Sequence, residues 1–255
     1  MAIDVTRIRN VGLVGHGGVG KTSLVEAILY AAGATTRLGR VDDGTSVTDS
    51  DPDEIKRKIT ISTAVAHCDW KGHRLNLVDT PGFGDFIADA RAGLRVVEGA
   101  IVVVCGVAGV EVQTEKVWRF ANEYNLPRLA FVNRLDRERA DFFRALDSMQ
   151  RRLKGRLIPV QLPIGAEAGF KGVVDLIKMK AYASEPGSAK VREEAIPGDL
   201  SAQAQEYREK LVEAVAETDD ELLAKYLEEG GLEEQAVLPA LRSAINEAGT
   251  GPMPM

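Results

Sequence analysis

Three short segments carry residue types that could hold a nucleotide. The first is Gly15-His16-Gly17-Gly18-Val19-Gly20-Lys21-Thr22-Ser23. Glycines let successive backbone N–H groups converge on anionic oxygens, Lys21 can reach phosphates, and the Thr22 hydroxyl can bind Mg2+. The second is Asp79-Thr80-Pro81-Gly82-Phe83. A carboxylate beside a phosphate loop can hold Mg2+ directly or through water, and the Gly82 amide can sense a γ-phosphate. The third is Asn133-Arg134-Leu135-Asp136. The Asp136 carboxylate can accept from the ring N–H and the amino group of guanine, which adenine cannot supply. The Asn133 amide can bond the far edge of the base or tie loops together, and Arg134 can lie over its face. Alone, D-T-P-G is a turn and N-x-x-D is weak. In this order and spacing after a phosphate loop, they specify a guanine-nucleotide site. Thr60, in the run Lys56–Ile61, is the candidate Mg2+ ligand that depends on the γ-phosphate.

The elements around these motifs must bring them to one edge. Val11–Val14, Leu75–Val78 and Leu129–Val132 are short apolar strands that run directly into the three motifs. Lys21–Ala32, Asp85–Val97 and Val112–Asn125 have helical periodicity. Gly99–Cys105 is another buried strand, and Ile59–Trp70 with His73–Asp79 reads as a hairpin turning at Lys71-Gly72. Leu38–Ile55, rich in Asp, Gly, Ser and Thr, reads as a long mobile loop, with Thr60 opening the strand after it. Alternating β and α elements imply a doubly wound, mostly parallel α/β sheet, whose ligands sit at the carboxyl ends of its strands. Past Gly165 the pattern changes to a smaller α+β part, with helices over Ser201–Thr218, Asp219–Glu229 and Leu232–Ala248. The final Gly249–Met255 carries no element signal.

Bulk properties limit the alternatives. The chain has 255 residues, a net charge of −6 and 45% hydrophobic content. It lacks the overall basic charge of a sequence-specific DNA binder, and no apolar run approaches the roughly 18–20 residues of a membrane span. The two cysteines have no metal-ligand spacing, so a reduced, cytoplasmic setting is expected. The three histidines share no ligand spacing either, and for His16 a backbone role in the phosphate loop is expected.

The segments RNVGLVGHGGVGKTSLVEAILY, VDTPGFGDF, FVNRLDRERADF and PVQLPIGAEAGFKGVVDLIKMKAY resemble the GTP-binding domain of the translation elongation factor G family. The last of them is similar to the start of an insert in that family's domain. The resemblance implies a P-loop NTPase of Ras-like fold over 1–157 and the family insert over 158–255. It also implies GTP or GDP with Mg2+ as ligands, Thr22, Thr60 and Asp79 as metal ligands, and Lys21, Thr60 and Gly82 at the reacting centre. The ribosome is the implied partner, of a cytoplasmic monomer. The family's Ser-Ala loop that touches guanine lies past a further strand. Ser243-Ala244 falls in a helical pattern and is not read as that loop, so the chain reads as C-terminally truncated.

Three departures stand out. Gly18-Val19 replaces Asp-Ala, Lys58 replaces Gly, and Phe83 stands where the family places the histidine that positions the attacking water. The first and third resemble the elongation factor G-like paralogue branch. A phenyl ring cannot hydrogen-bond water, so two readings stand: a GTPase with a low intrinsic rate, or a GTP-sensing module with little hydrolysis. An ATP-using P-loop enzyme is a third, resting on the first motif alone.

Overall fold

The computed structural model describes residues 4–184, 191–229, 231–232, 234–246 and 253–254. Two compact units are present. The first comprises Met1–Val104 with Val110–Asn133, and the second Cys105–Gly109 with Arg134–Met255.

The first unit is built on one five-stranded sheet. Its strands are β1 (Ile8–Gly15), β2 (Ala64–Trp70), β3 (His73–Asp79), β4 (Gly99–Cys105) and β5 (Arg128–Asn133). They lie in the order β2-β3-β1-β4-β5. β1 is parallel to both β3 and β4, while β2 runs antiparallel to β3. The helices are α1 (Lys21–Ala31), α2 (Pro52–Arg57), α3 (Ile87–Leu94) and α4 (Val112–Glu123). α1 lies on the sheet through Val25 and Leu29, which pack with Leu13, Ala66, Cys68 and Leu77. Burying such a side chain stabilises the fold by about 1.5–3 kcal/mol. This packing, rather than helix propensity, fixes the helix that follows the phosphate loop.

The phosphate loop follows β1, Asp79 ends β3 and Asn133 ends β5. The expected placement of the motifs at carboxyl strand ends therefore holds. The hairpin turns at Lys71 and Gly72, both in the left-handed region at φ 47° and 77°, as a two-residue I′ turn requires.

Three local expectations are corrected. The segment 38–55 is not wholly a loop: Pro52 opens α2, whose capping box joins Asp51 and Glu54. The first hairpin strand starts at Ala64, not Ile59, so Thr60 precedes the strand. The reason is local, since the Ile61 and Ser62 amides donate to the Glu54 carboxylate and not to a ladder. The helix expected over 85–97 is a 3-10 turn at Gly84–Phe86 followed by the shorter α3.

The second unit begins with α5 (Phe142–Arg152) and the two-residue β6 (Leu157–Ile158). An antiparallel sheet follows, from β7 (Gln161–Ile164), β8 (Gly172–Asp175), β9 (Lys180–Ser184) and β10 (Val191–Glu194). α6 (Gly198–Ala216), α7 (Asp220–Glu229) and α8 (Glu234–Asn246) come next. Val212, Ala216, Leu232 and Val237 form a small helical core there. Ser243 and Ala244 lie within α8, as expected. The tail expected to carry no element contains β11 (Met253–Pro254), paired in parallel with β6.

Candidate functional site

The site grows from the turn between β1 and α1. Lys21 and Thr22 open the helix, and both are buried. The Lys21 ammonium donates to the carbonyls of Gly15 (3.3 Å) and His16 (3.0 Å), so the side chain folds back over its own loop. Burial pulls its pKa down to about 8, against the opposing pull of the Asp79 and Asp49 carboxylates. A buried cation with only carbonyls for direct partners suits an arriving phosphate, which would replace the lost hydration.

An oxygen-rich cluster sits beside it. The Thr22 and Thr60 hydroxyl oxygens are 3.0 Å apart. Asp79 is fully buried, and its Oδ2 accepts from the Thr48 hydroxyl at 2.9 Å. Its Oδ1 and both carboxylate oxygens of Asp49 are buried without a hydrogen-bond partner. Burial raises both carboxyl pKa values, that of Asp79 to about 6, against the opposing pull of the Thr22 and Thr48 hydroxyls at Asp79, of the Thr60 hydroxyl at Asp49, and of the Lys21 charge at both. Orphaned carboxylate oxygens beside two threonine hydroxyls form an all-oxygen donor set, and that set fits a small hard divalent cation such as Mg2+.

Thr80 and Pro81 serve the scaffold. The Thr80 hydroxyl donates to the Leu13 carbonyl at 2.7 Å and ties β3 to β1, and Pro81 is buried after it. At Gly82 a Cβ would fall 2.6 Å from the His16 carbonyl oxygen and 2.7 Å from the Gly17 nitrogen, so the two loops touch through backbone. Phe83 is 39% exposed and its ring lies against Gly17, where a Cβ would meet three ring carbons at 2.8–2.9 Å.

The remaining sequence candidates fall as follows. Gly20 has φ 96°, and a Cβ there would strike the Asn133 amide nitrogen, which donates to the Val19 carbonyl at 2.8 Å. Asn133 thus ties the end of β5 to the phosphate loop. The His16 ring lies 3.5 Å from the Glu111 carboxylate, with its Nδ1 buried and unpartnered. Gly18 and Ser23 are exposed. Arg134 and Asp136, both exposed, belong to the second unit.

Sequence reasoning missed Thr48, Asp49, Glu26 and Glu54. Glu26 is 1% exposed and accepts from the Val47 amide (2.6 Å) and the Ser46 hydroxyl (3.0 Å). Its signal was available: a carboxylate four residues after Thr22, on a face otherwise occupied by Val25 and Leu29. For Glu54 the signal was the D-x-x-E spacing of a capping box.

Residues 6–249 match the family model described as the elongation factor Tu GTP binding domain. Elongation factor G of Thermotoga petrophila is 47% identical over 96% of this chain, which covers 35% of that protein. The Thermotoga maritima elongation factor G is 46% identical over 96% of the chain and 36% of its own length. The chain thus spans about a third of the curated relatives it matches. A crystal structure of a Thermus thermophilus protein superposes with a TM-score of 0.89 at 38% identity, over 98% of this chain and 37% of that one.

Proposed function

The chain belongs to the family of elongation factor Tu GTP-binding domains, and from that premise we propose that it binds GTP and GDP with Mg2+ and hydrolyses GTP slowly. The observation that carries the proposal is the convergence of buried Lys21 with the Thr22, Thr60 and Asp79 oxygens at the ends of β1 and β3. Lys21 and the loop amides would hold the phosphates. Thr22 and Thr60, with Asp79 and Asp49, would hold Mg2+, which supplies neutralisation of phosphate charge when bound. Asp136 would select guanine, and Asn133 would hold the end of β5 to the phosphate loop. In this reading residues 1–157 form the nucleotide domain and 158–255 the family insert.

The larger protein context is part of the same proposal. The relatives named elongation factor G support a ribosome partner, in the cytoplasm, for a chain acting as a monomer. Its role there would be translocation or ribosome disassembly. No helix among the described residues is long and apolar enough to cross a membrane. The test is phosphate release with and without ribosomes, from this chain and from any longer protein that contains it. Absence of stimulation in the longer protein would defeat the enzymatic reading.

A second reading is favoured by one observation: the ring of Phe83, the position at which the family has a water-positioning histidine, lies on Gly17. It makes the domain a GTP sensor with little turnover. Phe83→His separates the two. A large gain in turnover supports the sensor, and an unchanged rate supports a GTPase that positions water by other groups.

A further inference from the structure

Glu54 is the one buried residue of α2, at 4% exposure, on a six-residue helix otherwise open to solvent. A carboxylate on so short a surface helix normally stays in water, because burial of a charge must be offset by hydrogen bonds. Here it has three. One oxygen accepts from the Asp51 amide at 3.3 Å and completes the helix cap. The other leaves the helix and accepts from the Ile61 amide (2.9 Å) and the Ser62 amide (3.1 Å). A capping role explains only the first. The other two grip the chain immediately after Thr60.

Thr60 itself is 9% exposed, with its hydroxyl 3.0 Å from that of Thr22. The chain before it is also held, since the Ile59 amide donates to the Glu54 carbonyl at 3.3 Å. Glu54 therefore brackets Thr60 on both sides, through its backbone carbonyl before and its side chain after. Glu26 acts similarly farther back, through Val47 and Ser46, but it sits on α1. Glu54 lies on the same segment as Thr60, so it joins α2 and Thr60 into one body.

We propose that Glu54 is a positioning residue for the γ-phosphate response: by accepting the Ile61 and Ser62 amides it presents Thr60 to the metal site. The inference rests on the proposed GTP and Mg2+ reading. Its consequence is selective. Thr60 would matter when a γ-phosphate is present, so loss of Glu54 weakens the triphosphate state and spares the diphosphate state.

The test compares affinities for a fluorescent non-hydrolysable GTP analogue and for fluorescent GDP, both with Mg2+, on the full chain. Glu54→Ala is expected to weaken the analogue about tenfold while GDP changes less than about twofold, from loss of two hydrogen bonds to a charged acceptor. Glu54→Gln retains a carbonyl oxygen for both amides and should keep most of the difference. In a Thr60→Ala background, Glu54→Ala should cause no further change in the ratio. Equal weakening of both nucleotides by Glu54→Ala, or an unchanged ratio, overturns the proposal. So does a full additional loss in the Thr60→Ala background; if the alanine variant does not fold, Glu54→Asp, which keeps the charge but shortens the reach to the Ile61 and Ser62 amides, is read in its place. A wild-type chain that binds neither nucleotide defeats the functional reading, whereas normal binding with an unresponsive Glu54 defeats this inference alone.

Discussion

Replacing Gly17 with alanine should change stability in opposite directions depending on residue 83. The Gly17 backbone lies outside the left-handed region, so alanine can adopt it, and in open space the change should stabilise by about 0.4–1 kcal/mol through the unfolded chain. The added Cβ would, however, lie 2.8–2.9 Å from three carbons of the Phe83 ring. Carbon atoms prefer about 3.5–4.0 Å, so the ring must shift by about 1 Å or leave. Either route costs about 1–3 kcal/mol. With Phe83 present the net effect is a loss of about 1–2 kcal/mol. In a Phe83→Ala background the obstruction is gone and the same change should stabilise. Urea unfolding of the four proteins of the cycle, without nucleotide, reads the coupling, expected at about 1.5–3 kcal/mol. Equal effects of Gly17→Ala in both backgrounds, within about 0.5 kcal/mol, would refute the contact between the two loops.

Nucleotide binding should take up a proton. In the free protein burial holds the Lys21 pKa near 8, and bound phosphate should return it towards 10.5, so net uptake is about half a proton at pH 8 and close to none at pH 7, where Asp79, with a pKa of about 6, releases about a tenth of a proton on binding Mg2+. Affinity therefore weakens as pH rises above 8. Calorimetry in buffers of different ionisation heat reads this, and pH-independent uptake would count against it. Arg128→Met should destabilise by about 2–4 kcal/mol in denaturant melts, because it strips hydrogen bonds from the Trp118 and Leu126 carbonyls and the Asn122 side chain inside the fold. Lys58 caps α2 at φ 57°, where an L side chain is strained by about 1–2 kcal/mol, so Lys58→Gly, after glycine's own entropy cost of about 0.5–1 kcal/mol, should relieve about 0.5–1 kcal/mol. The expected sign is greater hydrogen-exchange protection of the Ile59 and Ile61 amides, and reduced protection would refute it.

What the sequence disclosed was local. Each motif follows an apolar strand, and burial forces such strands into the sheet interior, so the phosphate loop, Asp79 and Asn133 could be placed at strand ends before any coordinates. The unread parts depend on contacts distant in sequence. Ile59–Ile61 has the composition of a strand, but Glu54 takes the Ile59 amide on its carbonyl and the Ile61 and Ser62 amides on its carboxylate. Asp49 and Thr48 sit in a polar run that resembles any loop, until Asp79 is brought against them. Gly17 reads as one more phosphate-loop glycine, and only the position of Phe83 gives its missing side chain a reason. In the second unit, the pairing of β6 with β11 leaves no periodic signal in two-residue strands.

The position of β1 has a consequence for synthesis. It is made before both of its neighbours, yet it lies in the middle of the sheet, with Val11 opposite Leu77 of β3 on one side and Gly99 of β4 on the other. At about 5–20 residues per second, the ribosome making this chain takes on the order of 5–20 s after Val11 before both neighbours exist. During that interval Leu13 and Val14 have no sheet to enter, and the lysine-bearing loop behind them has no frame. Nucleotide therefore cannot seed this sheet from β1 alone. It can only reward a sheet already closed around β1, and the nascent chain must stay out of aggregates until then.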